Sequence, residues 1–83
     1  MINIVIDREN STPLYKQISN SIEEYIKSGE AIGGEKLPSK RTMSKELGVS
    51  KNTVIGAYKI LAEKKYIIPV ERQGHFIRNI SES

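Results

Sequence analysis

Eighty-three residues with no cysteine, 13 basic and 10 acidic side chains describe one small domain of net charge +3. The composition excludes a disulfide scaffold and a thiolate metal site. No apolar run approaches the roughly 20 residues of a membrane span. The start, MINIVIDREN, has neither the basic n-region nor the long apolar core of a signal peptide, so the expected location is the cytoplasm, away from any membrane.

The charge is unevenly placed. Residues 1–35 have a net charge of −3, residues 36–59 of +5 and residues 60–83 of +1. The central segment holds Lys36, Lys40, Arg41, Lys45, Lys51 and Lys59 against Glu46 alone, a pattern that suits a polyanion. The plain alternative is a solvated lysine-rich face.

Along the chain, Ile2, Ile4 and Ile6 alternate with Asn3, Val5 and Asp7, which predicts a short N-terminal strand with one apolar face. A polar connector, Arg8 to Thr12, completes a first unit over residues 1–12. Thr12-Pro13 reads as an N-cap followed by proline at the first helical position. Leu14, Ile18, Ile22, Tyr25 and Ile26 then place one apolar stripe on a helix over 13–27, and Gly29 is its expected left-handed terminator. Glu23 and Glu24 belong to the solvated face. Gly33-Gly34 marks a sharp turn in the loop over 30–38, with no nucleotide-binding glycine pattern.

Two serines open the next helices. Ser39 precedes a helix over 40–47 and Ser50 one over 51–63, because a serine hydroxyl can accept an otherwise unpaired N–H of the first turn. Thr42 and Thr53 occupy the positions where a capping box would need an acid. Gly48-Val49-Ser50 turns the chain between them. Met43 and Leu47 face inward from the first of the pair, and Val54, Ala57, Tyr58 and Leu61 from the second. Ile55 and Ile60 lie off that stripe. Two short helices about a glycine-containing turn read as a helix-turn-helix, whose second helix presents its first residues to the DNA major groove. Those residues are Ser50, Lys51, Asn52 and Thr53, none of them acidic.

Tyr66–Val70 and His75–Arg78 predict a hairpin about Glu71-Arg72-Gln73-Gly74, with Pro69 confined to an edge or a bulge. The fold class is therefore mainly α with a small β-hairpin: a winged helix-turn-helix of three helices plus wing over 13–78, preceded by a short strand. The wing would carry Arg72, Gln73 and His75 to the DNA. Residues 79–83 read as a frayed tail or the start of a linker.

PLYKQI, IKSGEAIGGEKLPSKR, ELGVSKNTVIGAY and QGHFI together resemble the N-terminal winged-helix domain of GntR-type bacterial transcription regulators, over about residues 4–79. The form is most similar to the MocR-like group, in which this domain is fused to an aminotransferase-like domain that binds pyridoxal phosphate, and next to the YtrA-like group, which carries a short helical dimerisation tail. The resemblance implies DNA contacts from Ser39 and Arg41 at the start of the second helix, from Ser50, Lys51 and Thr53, and from Gly74 in the wing; charge and position add Lys40, Asn52, Arg72, Gln73 and His75. The resemblance also implies a double-stranded operator, a homodimer in the full-length protein, and no cofactor in this segment. Three departures stand out. Ile55 replaces a frequent arginine. Arg72 replaces the first of two wing glycines. Lys65 replaces the glycine that ends the third helix, so either the cap differs or Lys65 bears a strained backbone.

One histidine, no cysteine and no paired-carboxylate or HExxH pattern provide no catalytic constellation, so the segment is not expected to be an enzyme. The alternative function is a winged helix that binds protein without reading DNA, for which Ile55 and Ile60 are the features in favour.

Overall fold

The computed structural model describes residues 4–78. Three helices, α1 (Leu14–Lys27), α2 (Lys40–Leu47) and α3 (Lys51–Glu63), precede two strands, β1 (Ile67–Val70) and β2 (Gly74–Ile77). This is a winged helix-turn-helix.

The core is built where the apolar periodicities converge. Ile18, Ile22 and Ile26 lie on one line of α1 at steps of four and are buried against Val54, Ala57, Tyr58 and Leu61 of α3. Met43 closes the core from α2, Leu37 from the loop, and Ile67 and Ile77 from the hairpin. Full burial of each large aliphatic side chain stabilises the fold by about 1.5–3 kcal/mol. Leu14, at the first turn of α1, is only half-buried.

The hairpin pairs Ile67 with Ile77, Ile68 with Phe76, Pro69 with His75 and Val70 with Gly74. Arg78 N–H donates to Tyr66 C=O at 3.0 Å. Hydrogen-bonded pairs therefore alternate through 68/76 and 70/74, and Pro69 falls where no ladder donor is needed. The other side of β2 is covered by the loop before α2. Leu37 N–H donates to His75 C=O (2.9 Å), and Ile77 N–H donates to Glu35 C=O (2.8 Å). The wing is thus stitched to the segment that leads into α2.

The start of the chain departs from expectation. Residues 4–7 form no strand. Ile4 and Ile6 instead pack on the core as single side chains, and the segment is held by side-chain bonds. Gln17 clasps it from α1: its Oε1 accepts Asp7 N–H at 2.8 Å, and its Nε2 donates to Asp7 C=O (2.9 Å) and Thr12 C=O (2.8 Å). The alternation over 2–6 has the period of a strand, but among the described residues the segment pairs with no sheet edge; its first residues, with Ile2, lie outside the described part, as does the tail over 79–83. Pro13 is the N-cap of α1 rather than its first helical residue, and no side chain caps that end. Thr12 contributes a carbonyl to Gln17, not a hydroxyl to the helix. Glu23 is not merely solvated. It pairs with Lys27 (3.0 Å) and with Lys64 at the end of α3 (3.4 Å), and accepts the Tyr66 hydroxyl at 3.3 Å. Its carboxyl is held below the usual range, with the Lys27 hydrogen bond the largest cause.

The end of α3 resolves the Lys65 question. Tyr66 N–H reaches back to Leu61 C=O (2.9 Å) and Lys65 N–H to Ala62 C=O (3.1 Å), a Schellman closure. Its left-handed position is Lys65, at φ +70°. A β-carbon there is strained by about 1–2 kcal/mol. Lys65→Gly should therefore stabilise the domain by a net ~0.5–1 kcal/mol, raising its thermal midpoint by about 4 °C in a calorimetric scan; an unchanged or lower midpoint would refute the strain.

Candidate nucleic-acid interface

Both helix starts are capped as the serines predict. Ser39 Oγ accepts Thr42 N–H at 3.1 Å, and Ser50 Oγ accepts Thr53 N–H at 3.1 Å. Each hydroxyl also meets the threonine hydroxyl of its own turn, Ser39 to Thr42 at 3.0 Å and Ser50 to Thr53 at 2.8 Å. Each Ser–Thr pair holds two hydroxyl protons and uses one between its members. One proton per pair is left for an acceptor outside the protein. A helix start with free N–H groups, a spare hydroxyl proton and no acid in the first turn favours an anionic oxygen.

The turn between the helices is fixed by Gly48, at φ +68°, while Val49 N–H returns to Ser44 C=O at 3.0 Å. Arg8 closes this corner from outside: its Nη2 donates to Gly48 C=O at 2.6 Å and to Leu47 C=O at 3.4 Å. Nothing in the sequence singled out Arg8. It sits about 40 positions from its acceptors, in a connector with no periodicity.

The wing and the start of α2 are brought together. Ser39, Lys40, Arg72, Gln73, Gly74 and His75 line one open groove, together with Lys36. Lys36 lies directly beneath Gly74: a β-carbon at residue 74 would stand 3.1 Å from Lys36 Cε. The close approach, with φ +121°, explains glycine at that position, and Gly74 begins β2 rather than ending the turn. Arg41 lies outside this groove, on the exposed face of α2. Ser50, Lys51 and Asn52 are exposed at the start of α3, with Thr53 half-buried behind them.

Tyr58 joins these parts. It is 1% exposed, its hydroxyl donates to Pro38 C=O at 2.7 Å, and its ring meets the edge of His75 with centroids 4.9 Å apart. Burial raises its phenol well above the ordinary value. His75 is accordingly a half-buried ring seated on Tyr58, not a free turn residue. Burial, and then the Lys40 charge, lower its pKa from the ordinary 6.5. Among the described residues no cluster of histidine or acidic side chains could hold a metal ion, and no helix is long and apolar enough to cross a membrane.

Residues 14–77 match the family described as bacterial regulatory proteins, gntR family. Over 71 residues the chain is 38% identical to the HTH-type transcriptional regulator YdeL of Bacillus subtilis, covering 86% of this chain and 15% of YdeL. In structure it resembles YtrA from Sulfolobus acidocaldarius, a GntR-family transcription factor, with TM-score 0.86 and 40% identity over 94% of this chain and 82% of that one. It also resembles the N-terminal domain of AraR in complex with mutant ORR3, with TM-score 0.75 and 26% identity over 83% and 99% of the two chains. The chain spans 13–15% of the length of the first curated relatives it matches.

Because the fold depresses the His75 pKa, the unfolded chain binds the additional proton more readily than the folded one. The neutral ring's contribution is complete above the unfolded value of 6.5 and is lost as pH falls through the lower, folded value. Urea midpoints measured from pH 8 to pH 5 should fall on the acid side, and His75→Gln should flatten that fall; equal slopes in the two proteins would refute the assignment.

Proposed function

The chain belongs to the gntR family of bacterial regulatory proteins, and on that premise we propose that it is the operator-reading module of a transcription regulator. Helix α3 enters the major groove and the hairpin rides the adjacent minor groove. The observation that carries this reading is the coincidence of two side-chain-capped helix starts, free of acids, with the +5 segment of the chain.

The roles follow from chemistry and position. Ser50, Lys51, Asn52 and Thr53 open α3 and present short donors and one cation to base edges. Arg41, exposed on α2, has the planar fork that fits a guanine edge or a phosphate bidentately. Ser39 and Lys40 hold the backbone at the α2 start, with Lys36 beside them in the groove, while Lys45 neutralises phosphate. Arg72, Gln73, Gly74 and His75 form the minor-groove element. Their geometry supports this division, since a wing tied to the α2 approach by backbone bonds moves with the helices as one body.

The whole protein works as a cytoplasmic homodimer in this reading. Two modules tethered through further chain raise affinity by effective concentration, so one module alone binds modestly. The segment itself carries no cofactor and no catalysis. A MocR-like partner domain would hold pyridoxal phosphate separately from DNA reading.

Selection from a randomised duplex pool, followed by a salt titration of the winner, tests the proposal. An enriched half-site and a log–log salt slope of about −0.9 per phosphate neutralised are expected. Arg41→Ala and Lys51→Ala should each weaken binding to that site by roughly 1–3 kcal/mol. Salt-sensitive binding without any enriched sequence, or no binding at low salt, would reject sequence reading by this module and favour a protein partner.

A further inference from the structure

The wing carries a backbone conformation that its sequence should avoid. Gln73 N–H donates to Val70 C=O at 3.0 Å, which closes a four-residue turn over Val70-Glu71-Arg72-Gln73. Arg72 occupies the third place of that turn with φ +68°, whereas Glu71 does not have a positive φ. A turn of this kind needs a left-handed residue at its third place and normally takes glycine or asparagine there. Arginine gains nothing from the conformation. Its side chain is exposed, and the ion pairs among the described residues all use Glu23, on the far side of the molecule's sequence. A strained residue with no internal partner points to a role outside the fold.

The surroundings indicate what that role is. Arg72 shares its groove with Lys36 and Lys40, and Glu71 is the one acid lining it. Like charges in the groove disfavour folding the guanidinium back onto the protein from the tip of the hairpin. A cation standing on a hairpin tip, clear of its own fold, matches the narrow minor groove of A·T-rich DNA. There the walls of phosphate approach one another and the negative potential deepens, and no guanine amino group blocks the floor.

We infer that Arg72 makes this protein prefer A·T-rich DNA, with a narrow minor groove, at the position where the wing lies beside the α3 half-site. The inference rests on the DNA-binding reading above. It adds a sequence preference at base pairs that α3 does not touch. The left-handed backbone at residue 72 is the structural cost of aiming an arginine from that turn.

The experiment uses the half-site recovered by selection, flanked at the wing position by A·T, G·C or inosine·C pairs. Inosine·C keeps the major-groove face of G·C but lacks the minor-groove amino group. Fluorescence anisotropy should show the chain binding the A·T and inosine·C flanks about tenfold more tightly than the G·C flank. Arg72→Gly should weaken binding overall and abolish that flank ratio, while its thermal midpoint rises by about 4 °C as the left-handed strain is relieved. Lys65→Gly, which relieves similar strain away from the wing, should raise the midpoint and keep the flank ratio. Equal binding to the three flanks by the unmodified chain, or a flank ratio that survives Arg72→Gly, would overturn the inference while leaving the α3 reading intact. Failure to recover any half-site would overturn both.

Discussion

The geometry of the whole interface hangs on one buried side chain, Tyr58. It belongs to α3, yet its hydroxyl is bonded to Pro38 just ahead of α2, and its ring supports His75 in the wing. Three elements that the proposed function turns toward one duplex are thereby referred to a single rigid ring. A buried phenol costs free energy if its hydroxyl is unpaired, so the 2.7 Å bond to Pro38 does more than add its own net ~1 kcal/mol. It makes any other spacing between α3 and the α2 start unfavourable. The backbone stitches from Leu37 to His75 and from Ile77 to Glu35 then carry that spacing into the hairpin. Recognition helix, α2 start and wing are positioned by packing and by main-chain bonds, which leaves the surface side chains free to serve a ligand.

The glycine positions divide along the same line. Gly48 and Gly74 both stand at positive φ: one closes the helix-turn-helix corner beside the Arg8 guanidinium, and at the other a β-carbon would also crowd Lys36. Lys65 and Arg72 stand at φ values that glycine would occupy more cheaply. At Lys65 the Schellman hydrogen bonds hold the conformation whatever the side chain, and its strain has no evident compensation within the domain. At Arg72 the hairpin turn imposes the same requirement. In the inference drawn for Arg72, the compensating interaction comes from DNA, a group the isolated chain does not contain.

Much of this was legible in the sequence because it is local. The stripes of α1 and α3, the two serine caps, the left-handed glycines and the hairpin each depend on residues within a turn or two of one another. The replacement of glycine by Lys65 and Arg72 already marked both strained positions. The unread parts depend on long-range pairing. Alternation at Ile4 and Ile6 has the period of a strand, but a strand needs an edge, and whether one is available is decided by the rest of the chain. Arg8 and Glu23 looked like ordinary surface charges, since the Arg8 acceptors and the Lys64 and Tyr66 partners of Glu23 lie about 40 residues away, beyond the local pair with Lys27. His75 was visible as a wing residue, whereas its seat on Tyr58 was not, because periodicity says which face Tyr58 buries and not what meets the ring. Of the candidate site, the two serine caps were legible, whereas the grouping of the wing with the α2 start was not. The structure gathers the wing and the α2 start into one groove, with Arg41 and the α3 start exposed outside it.

Arg8 also shows how a small domain can shape the field at its own surface. An α-helix ends in unpaired carbonyls and a partial negative charge. The end of α2 lies only two residues before the cap of α3, so an uncompensated α2 terminus would place negative potential beside the start of the recognition helix. The guanidinium on the Leu47 and Gly48 carbonyls sets a positive charge against that terminus. With that cation at the α2 terminus and no acid in the first turn of α3, the local field at the start of α3 favours an anion. The clasp of Gln17 on Asp7 fixes the segment that delivers Arg8 to this corner, so α1 contributes to the interface without approaching it.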